Sequence, residues 1–155
     1  MKNGTLFLLN TTIMPNEGVY VNQKISPLQV WKVLNAHPGA SVPIEGGWTI
    51  VPKFVSAIGH QGSADVFNLL FPILHNSVQV NRIAAVMKPG DQAICLKVLG
   101  RLQEGSILTQ EELEKVGYEF YLVTNIGASF NDDGSIINRH LGYLTPVENY
   151  VHDAR

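Results

Sequence analysis

Residues 109–117, TQEELEKVG, are the best-punctuated stretch of the chain, and they stand between two apolar runs, QAICLKVL at 92–99 and YEFYLVTNI at 118–126. Thr109 with Glu112 three positions on is a capping box, and Gly117 supplies a stop. A capped helix joining two runs of strand character constrains the fold strongly. Each element has an apolar face that only the other can cover, so the chain must pack helices on a sheet.

The remaining segments extend that scheme. A strand is predicted at Thr5–Asn10 (TLFLLN), a turn at Pro15-Asn16-Glu17-Gly18 and a short strand at Val19–Lys24. Ser26 is the N-cap of a first helix, Pro27 fits its first position, and Leu28, Trp31 and Leu34 repeat on one face before Pro38-Gly39. Residues 38–53, PGASVPIEGGWTIVPK, read as a Pro/Gly-rich excursion holding one added strand at Trp48–Val51. Phe54–Ile58 reads as a buried strand, and Ala64, Phe67, Leu70 and Phe71 mark the face of a second helix ending near Pro72. Val78–Met87 and Gln92–Leu99 flank the turn sequence KPGD and are expected to pair as an antiparallel hairpin. The expectation is an α/β (α+β) domain with a mixed sheet of about five or six strands and helices packed on it. Its core would span residues 1–126, with an insertion at 38–53. Residues 127–155 form a C-terminal extension in which NDDG reads as a turn and TPVENYV as a capped short helix or an extended arm.

With 155 residues, 45% hydrophobic content and a net charge of −2, the chain can bury the core of one ordinary domain. The same charge argues against duplex nucleic acid as a partner, because such binding needs a large basic surface. Cys95, inside QAICLKVL, reads as a small buried hydrophobe in a reducing compartment. The opening MKNGTLFLLNTTIMP has too short an apolar run for a signal peptide or a membrane span. A cytoplasmic location without membrane contact is therefore expected.

Function must come from the polar groups that interrupt the apolar pattern at element ends. Four places stand out: Asn10-Thr11-Thr12 after the first strand, Gly59-His60-Gln61 before the second helix, Asn81-Arg82, and GRLQEG at 100–105 with Arg101 and Glu104. The histidine corner has the parts of a phosphate site. N–H groups at a helix N-terminus attract anions, and Gly59 and Gly62 let a ligand approach the backbone. His60 could then shuttle a proton, as histidine side chains do. Its competing role is structural, as a helix cap or the filler of a polar gap; Arg101 would then be a solvated strand end, Glu104-Gly105 a turn and Asn81-Arg82 hairpin surface. No His/Cys/Asp/Glu cluster has metal-ligand spacing, and His37, His75, His140 and His152 are scattered. Neither a metal nor another cofactor is expected.

Read in order, SAIGHQGSADVFNLL, NRI, PGD, RLQEG, LTQEEL and GYEFYLV make a joint pattern. Through it the chain, over about residues 4–123, resembles the viral anti-CRISPR ring nucleases of type III immunity, a family found in archaeal viruses, phages and plasmids. The resemblance implies a small α/β homodimer that binds cyclic tetra-adenylate and cleaves it without metal, silencing the host's effector nucleases. It implies that His60 is the general acid on the leaving 5′ oxygen, that Arg101 and Glu104 belong to the catalytic set, and that Arg82 and Asn10 bind the ligand. Thr11, Gly59 and Gln61 adjoin those positions and are expected to line the site. A two-fold dimer could present the same residues to both halves of a cyclic tetranucleotide. Residues 38–53 and 127–155 exceed the pattern and suggest a lid, a reshaped pocket or an added subunit contact, which would make a higher homo-oligomer than the dimer. A protein that sequesters an immune nucleotide without cutting it would need the same phosphate ligands.

Overall fold

Residues Leu6–Leu9 are buried along the whole of the strand they form, which requires strand partners on both edges and cover on both faces. The computed structural model describes residues 4–12, 18–101 and 109–127, and the backbone of 150–153. In chain order the elements are β1 (Leu6–Leu9), β2 (Gly18–Ile25), α1 (Pro27–Asn35), β3 (Pro38–Ile44), β4 (Gly47–Pro52), β5 (Val55–Ala57), α2 (Gln61–Leu70), a 3-10 turn (Pro72–Leu74), β6 (Gln92–Val98), α3 (Gln110–Val116), β7 (Tyr118–Asn125) and β8 (Tyr150–Asp153). Six strands form one mixed sheet in the order β5-β1-β6-β7-β2-β8. β1 is parallel to both neighbours, with Leu9 opposite Ala57 on one side and Cys95 on the other, whereas β7 and β8 run antiparallel. The carboxyl ends of β1, β5 and β6 therefore lie together at one end of the sheet.

Alternation along the strands divides the core. Leu6, Leu8, Ile94, Leu96 and Phe120 meet the helices, which contribute Val30, Leu34, Ala64, Phe67 and Leu113. Phe67, Phe71 and Phe120 pack their rings with centroids 5.5–6.3 Å apart. On the other face, Phe7, Leu9, Ala93, Cys95 and Val123 are covered by Ala85 and Met87 of an extended segment that belongs to no strand. Each fully buried large side chain stabilises the fold by about 1.5–3 kcal/mol.

Local signals set the helix ends where the sequence puts them. The Ser26 hydroxyl accepts from the Gln29 amide at 3.3 Å and the Gln29 side chain accepts from the Ser26 amide at 2.8 Å, a complete capping box. Thr109 accepts from the Glu112 amide at 3.2 Å, and Gly117, at φ 84°, ends α3.

Three expectations are corrected. The buried face of α1 is Val30 and Leu34, while Leu28 and Trp31 are 62% and 43% exposed. At 3.6 residues per turn, Val30, Val33 and Leu34 fall within an arc of about 100°, with Leu28 on the opposite side. Residues 38–53 supply two strands, not one: β3 and β4 form a separate antiparallel hairpin. Val78–Met87 does not pair with β6, because β1 and β7 already occupy both edges of β6; KPGD still turns, with Asp91 N–H donating to the Lys88 carbonyl at 2.9 Å. Of the C-terminal extension, 150–153 lies extended on the outer edge of β2; NDDG falls outside the described residues. Among those described, no helix is long and apolar enough to cross a membrane.

Candidate functional site

The carboxyl ends of parallel strands are where open α/β sheets leave room for ligands, and the sequence-predicted polar residues gather there. Asn10 directly follows β1, and its side-chain oxygen accepts from the Gly59 amide at 3.4 Å. The Gly59 carbonyl accepts from Arg82 Nε at 3.0 Å. One peptide unit on each side of Gly59 is thus held by a side chain from another part of the chain. His60 follows as the N-cap of α2, with extended backbone (φ −133°, ψ 129°) and its Nδ1 accepting from the Gly62 amide at 3.0 Å.

This cap fixes the chemistry of the ring. A nitrogen that accepts from an N–H carries no proton, so the neutral imidazole bears its proton on Nε2. Arg82 commits Nε to Gly59, and its two terminal nitrogens have no partner among the described residues. A guanidinium, a helix N-terminus and an imidazole N–H together favour an anion.

The segment carrying Arg82 is fixed by polar side chains. Asn68 on α2 donates to the Val78 carbonyl at 2.9 Å and accepts from the Val78 amide at 3.0 Å. Ser56 on β5 donates to the Gln79 carbonyl at 2.6 Å, and Asn81 donates its side-chain amide to the Ser56 carbonyl at 2.8 Å and its backbone N–H to the Ile58 carbonyl at 2.9 Å. Residues 78–81 therefore run along the open edge of β5 and deliver Arg82 to Gly59. The sequence reading misses Asn68 and Ser56. The available signal is Asn68 itself, an amide inside the apolar run VFNLLF that a buried helix face would not tolerate unpaired.

The other predicted residues are less closely joined. Thr11 is exposed just beyond β1. Gln61, also exposed, donates to Asp65 at 2.8 Å along the surface of α2. Arg101 leaves the same end of the sheet three residues after β6 and is exposed, outside the hydrogen bonds of the corner. Glu104 lies outside the described residues. Among those described, no group of three or more His, Cys, Asp or Glu could hold a metal ion.

Comparison with known proteins adds sequence and fold relationships. The STIV B116-like family profile matches residues 6–120, a stretch containing Asn10, His60, Arg82 and Arg101. ORF117 of Acidianus two-tailed virus is 33% identical over 125 residues, which cover 78% of this chain and 93% of ORF117. YddF of Bacillus subtilis strain 168 is 29% identical over 118 residues, 76% of this chain and 94% of YddF. The structure of B116 from Sulfolobus turreted icosahedral virus superposes with a TM-score of 0.57 at 23% identity, covering 78% of this chain and 99% of B116.

Proposed function

The chain belongs to the STIV B116-like family, and we propose that it is a ring nuclease that binds and cleaves a cyclic oligoadenylate, cyclic tetra-adenylate in the first instance, without a metal ion. The observation that carries this reading is the clamped corner, with Gly59 held by Asn10 and Arg82 beside a histidine that caps α2. In the proposed reaction the ribose 2′-hydroxyl attacks the adjacent phosphorus and gives up its proton to water. The bond from phosphorus to the 5′ oxygen breaks, and that oxygen takes a proton from His60. Arg82, joined by Arg101, offsets charge on the phosphoryl oxygens. The products are a cyclic 2′,3′-phosphate end and a 5′-hydroxyl end. A homodimer would bring a second corner to the opposite bond of the ring. The biological role would be anti-defence, in the cytoplasm of an infected host.

A second reading, sequestration without cleavage, draws support from the same cap. His60 uses Nδ1 as an acceptor, so an imidazolium must release the Gly62 amide before it can act as an acid. A site that only binds needs no such step, because it transfers no proton. The decisive experiment incubates the protein with cyclic tetra-adenylate and chelator, heats the protein away and resolves the nucleotide by chromatography. Linear products from wild type, slowed by about two to four orders of magnitude in His60→Ala, are the expected result. His60→Asn retains a capping oxygen and should lose cleavage equally while folding normally. Intact nucleotide recovered from wild type replaces the nuclease reading with sequestration.

A further inference from the structure

At the end of the sheet opposite the histidine corner, the amino ends of β1, β5 and β6 and the C-terminus of α1 line a half-open cavity of about 420 Å³. That volume falls within the range of small-molecule sites, roughly 300–1,000 Å³. Leu6, Pro38 and Phe54 give it apolar walls, and His37, Lys53 and Asp91 give it polar groups.

These polar groups differ in what they have left to offer. Asp91, 7% exposed, accepts from the Thr5 amide with one carboxylate oxygen and from the Lys88 amide with the other, both at 2.8 Å, so backbone donors answer its charge. His37 Nδ1 lies 2.9 Å from the Val33 carbonyl and must donate to it, which makes Nε2 the acceptor of the neutral ring. Lys53 donates its backbone N–H to the His37 carbonyl at 2.7 Å, holding the two residues together. The Lys53 side chain is exposed and forms no ion pair among the described residues. The carboxyl end of α1 would ordinarily favour a cation, but three of its carbonyls are already engaged: Lys32, Val33 and Leu34 accept from the amides of Ala36 and His37, and Val33 also from the His37 ring. Lys53 is then the one uncompensated charge at this cavity among the described residues.

We propose that this cavity is a second ligand site, for a small planar organic anion whose acid group meets Lys53 and whose ring lies against Phe54 and Pro38. His37 Nε2 accepts from a ring N–H where the ligand has one, as an indole does. The acid group is a carboxylate or a phosphate; both give an ammonium the same charge-assisted contact.

The test titrates the full chain with indole-3-acetate and phenyl phosphate, and with indole and phenol as their uncharged counterparts, following backbone amide resonances. The anions are expected to shift the amides of Thr5, His37 and Phe54 saturably, with dissociation constants roughly millimolar or tighter. Relative strength of the two identifies the preferred acid. Lys53→Gln, a change at an exposed position, should weaken both anions by about tenfold and leave indole and phenol unchanged. His60→Ala should leave these shifts in place, which separates this cavity from the histidine corner whatever the fate of the nuclease reading. No shift at this end of the sheet, equal binding of charged and uncharged probes, anion binding untouched by Lys53→Gln, or shifts confined to residues around His60 would each overturn the proposal.

Discussion

Replacing Asn68 by alanine tests whether the placement of Arg82 depends on α2. The side-chain amide makes a reciprocal pair with the Val78 backbone, at 2.9 and 3.0 Å, and thereby does for the 78–81 segment what a strand partner would do. Each bond contributes about 1 kcal/mol net. Val78 is 2% exposed, so water cannot easily replace the lost partners, and each unmade bond costs up to about 1–3 kcal/mol. The sum for Asn68→Ala is about 2–4 kcal/mol, which in a domain of this size lowers Tm by roughly 5–15 °C. Urea unfolding measures the free energy directly, and Gln61→Ala on the same helix is the control. Gln61 bonds Asp65 on an exposed surface, so its loss should stay within about 0.5 kcal/mol. Nucleotide titration of folded Asn68→Ala should show weakened binding, because Arg82 sits four residues beyond the lost anchor. An Asn68→Ala protein as stable as the Gln61→Ala control would refute the reasoning, since it would mean the segment is held without α2.

Other consequences follow from the periphery and the core. Lys24 and Glu119 pair on the sheet surface; the hydrogen bond from Lys24 is the main influence holding the Glu119 carboxyl below its ordinary 4.5, and the bond to Glu119 raises the Lys24 ammonium above its ordinary 10.5. The pair's stabilisation is therefore fully present between those two values, lost as pH falls through the lowered carboxyl or rises through the raised ammonium, so the urea midpoints of wild type and Glu119→Gln should differ slightly near neutrality and converge in acid. Burial pushes the Cys95 thiol up to about 12, so iodoacetamide at mildly alkaline pH should label it only as fast as the protein unfolds; rapid stoichiometric labelling of the folded protein would contradict its burial. Truncation after Gly127 removes β8 from Gly18–Val21 of β2 and opens a strand edge, and light scattering should then register self-association; unchanged mass and unchanged stability would show that this edge needs no cover.

The parts of the fold legible in the sequence are those decided by near neighbours. Ser26 and Thr109 each find their capping partner three residues away, so the start of α1 and α3 can be read without knowing the rest of the chain. The apolar run at 92–99 identifies β6 equally well, but not its neighbours. KPGD between two apolar stretches promises a hairpin, and the turn does form; yet β6 fills its edges with β1, some 86 positions upstream by the Thr5–Asp91 contact, and with β7. Competition among distant strands for one edge leaves no local trace. The face of α1 fails for a related reason. Leu28 and Trp31 are as apolar as Val30 and Leu34, and only the position of the sheet decides which pair is buried.

The site divides along the same line. His60 is visible because a histidine between glycines at the start of an apolar helix is a local anomaly, and its capping of α2 is a local bond, two residues long. What makes the corner a built structure is non-local: Asn10 reaches Gly59 across 49 positions, Arg82 across 23, and Asn81 reaches Ser56 across 25. Sequence weighs Arg82 either as hairpin surface or as a phosphate ligand. The hairpin does not form, and the guanidinium, with three nitrogens, takes a structural role of another kind. Nε holds Gly59, and the terminal pair keeps the fork geometry suited to a phosphate. A lysine at this position would have one nitrogen for both tasks, so on the proposed function Arg82→Lys should keep either the hold on Gly59 or the contact to phosphate but not both.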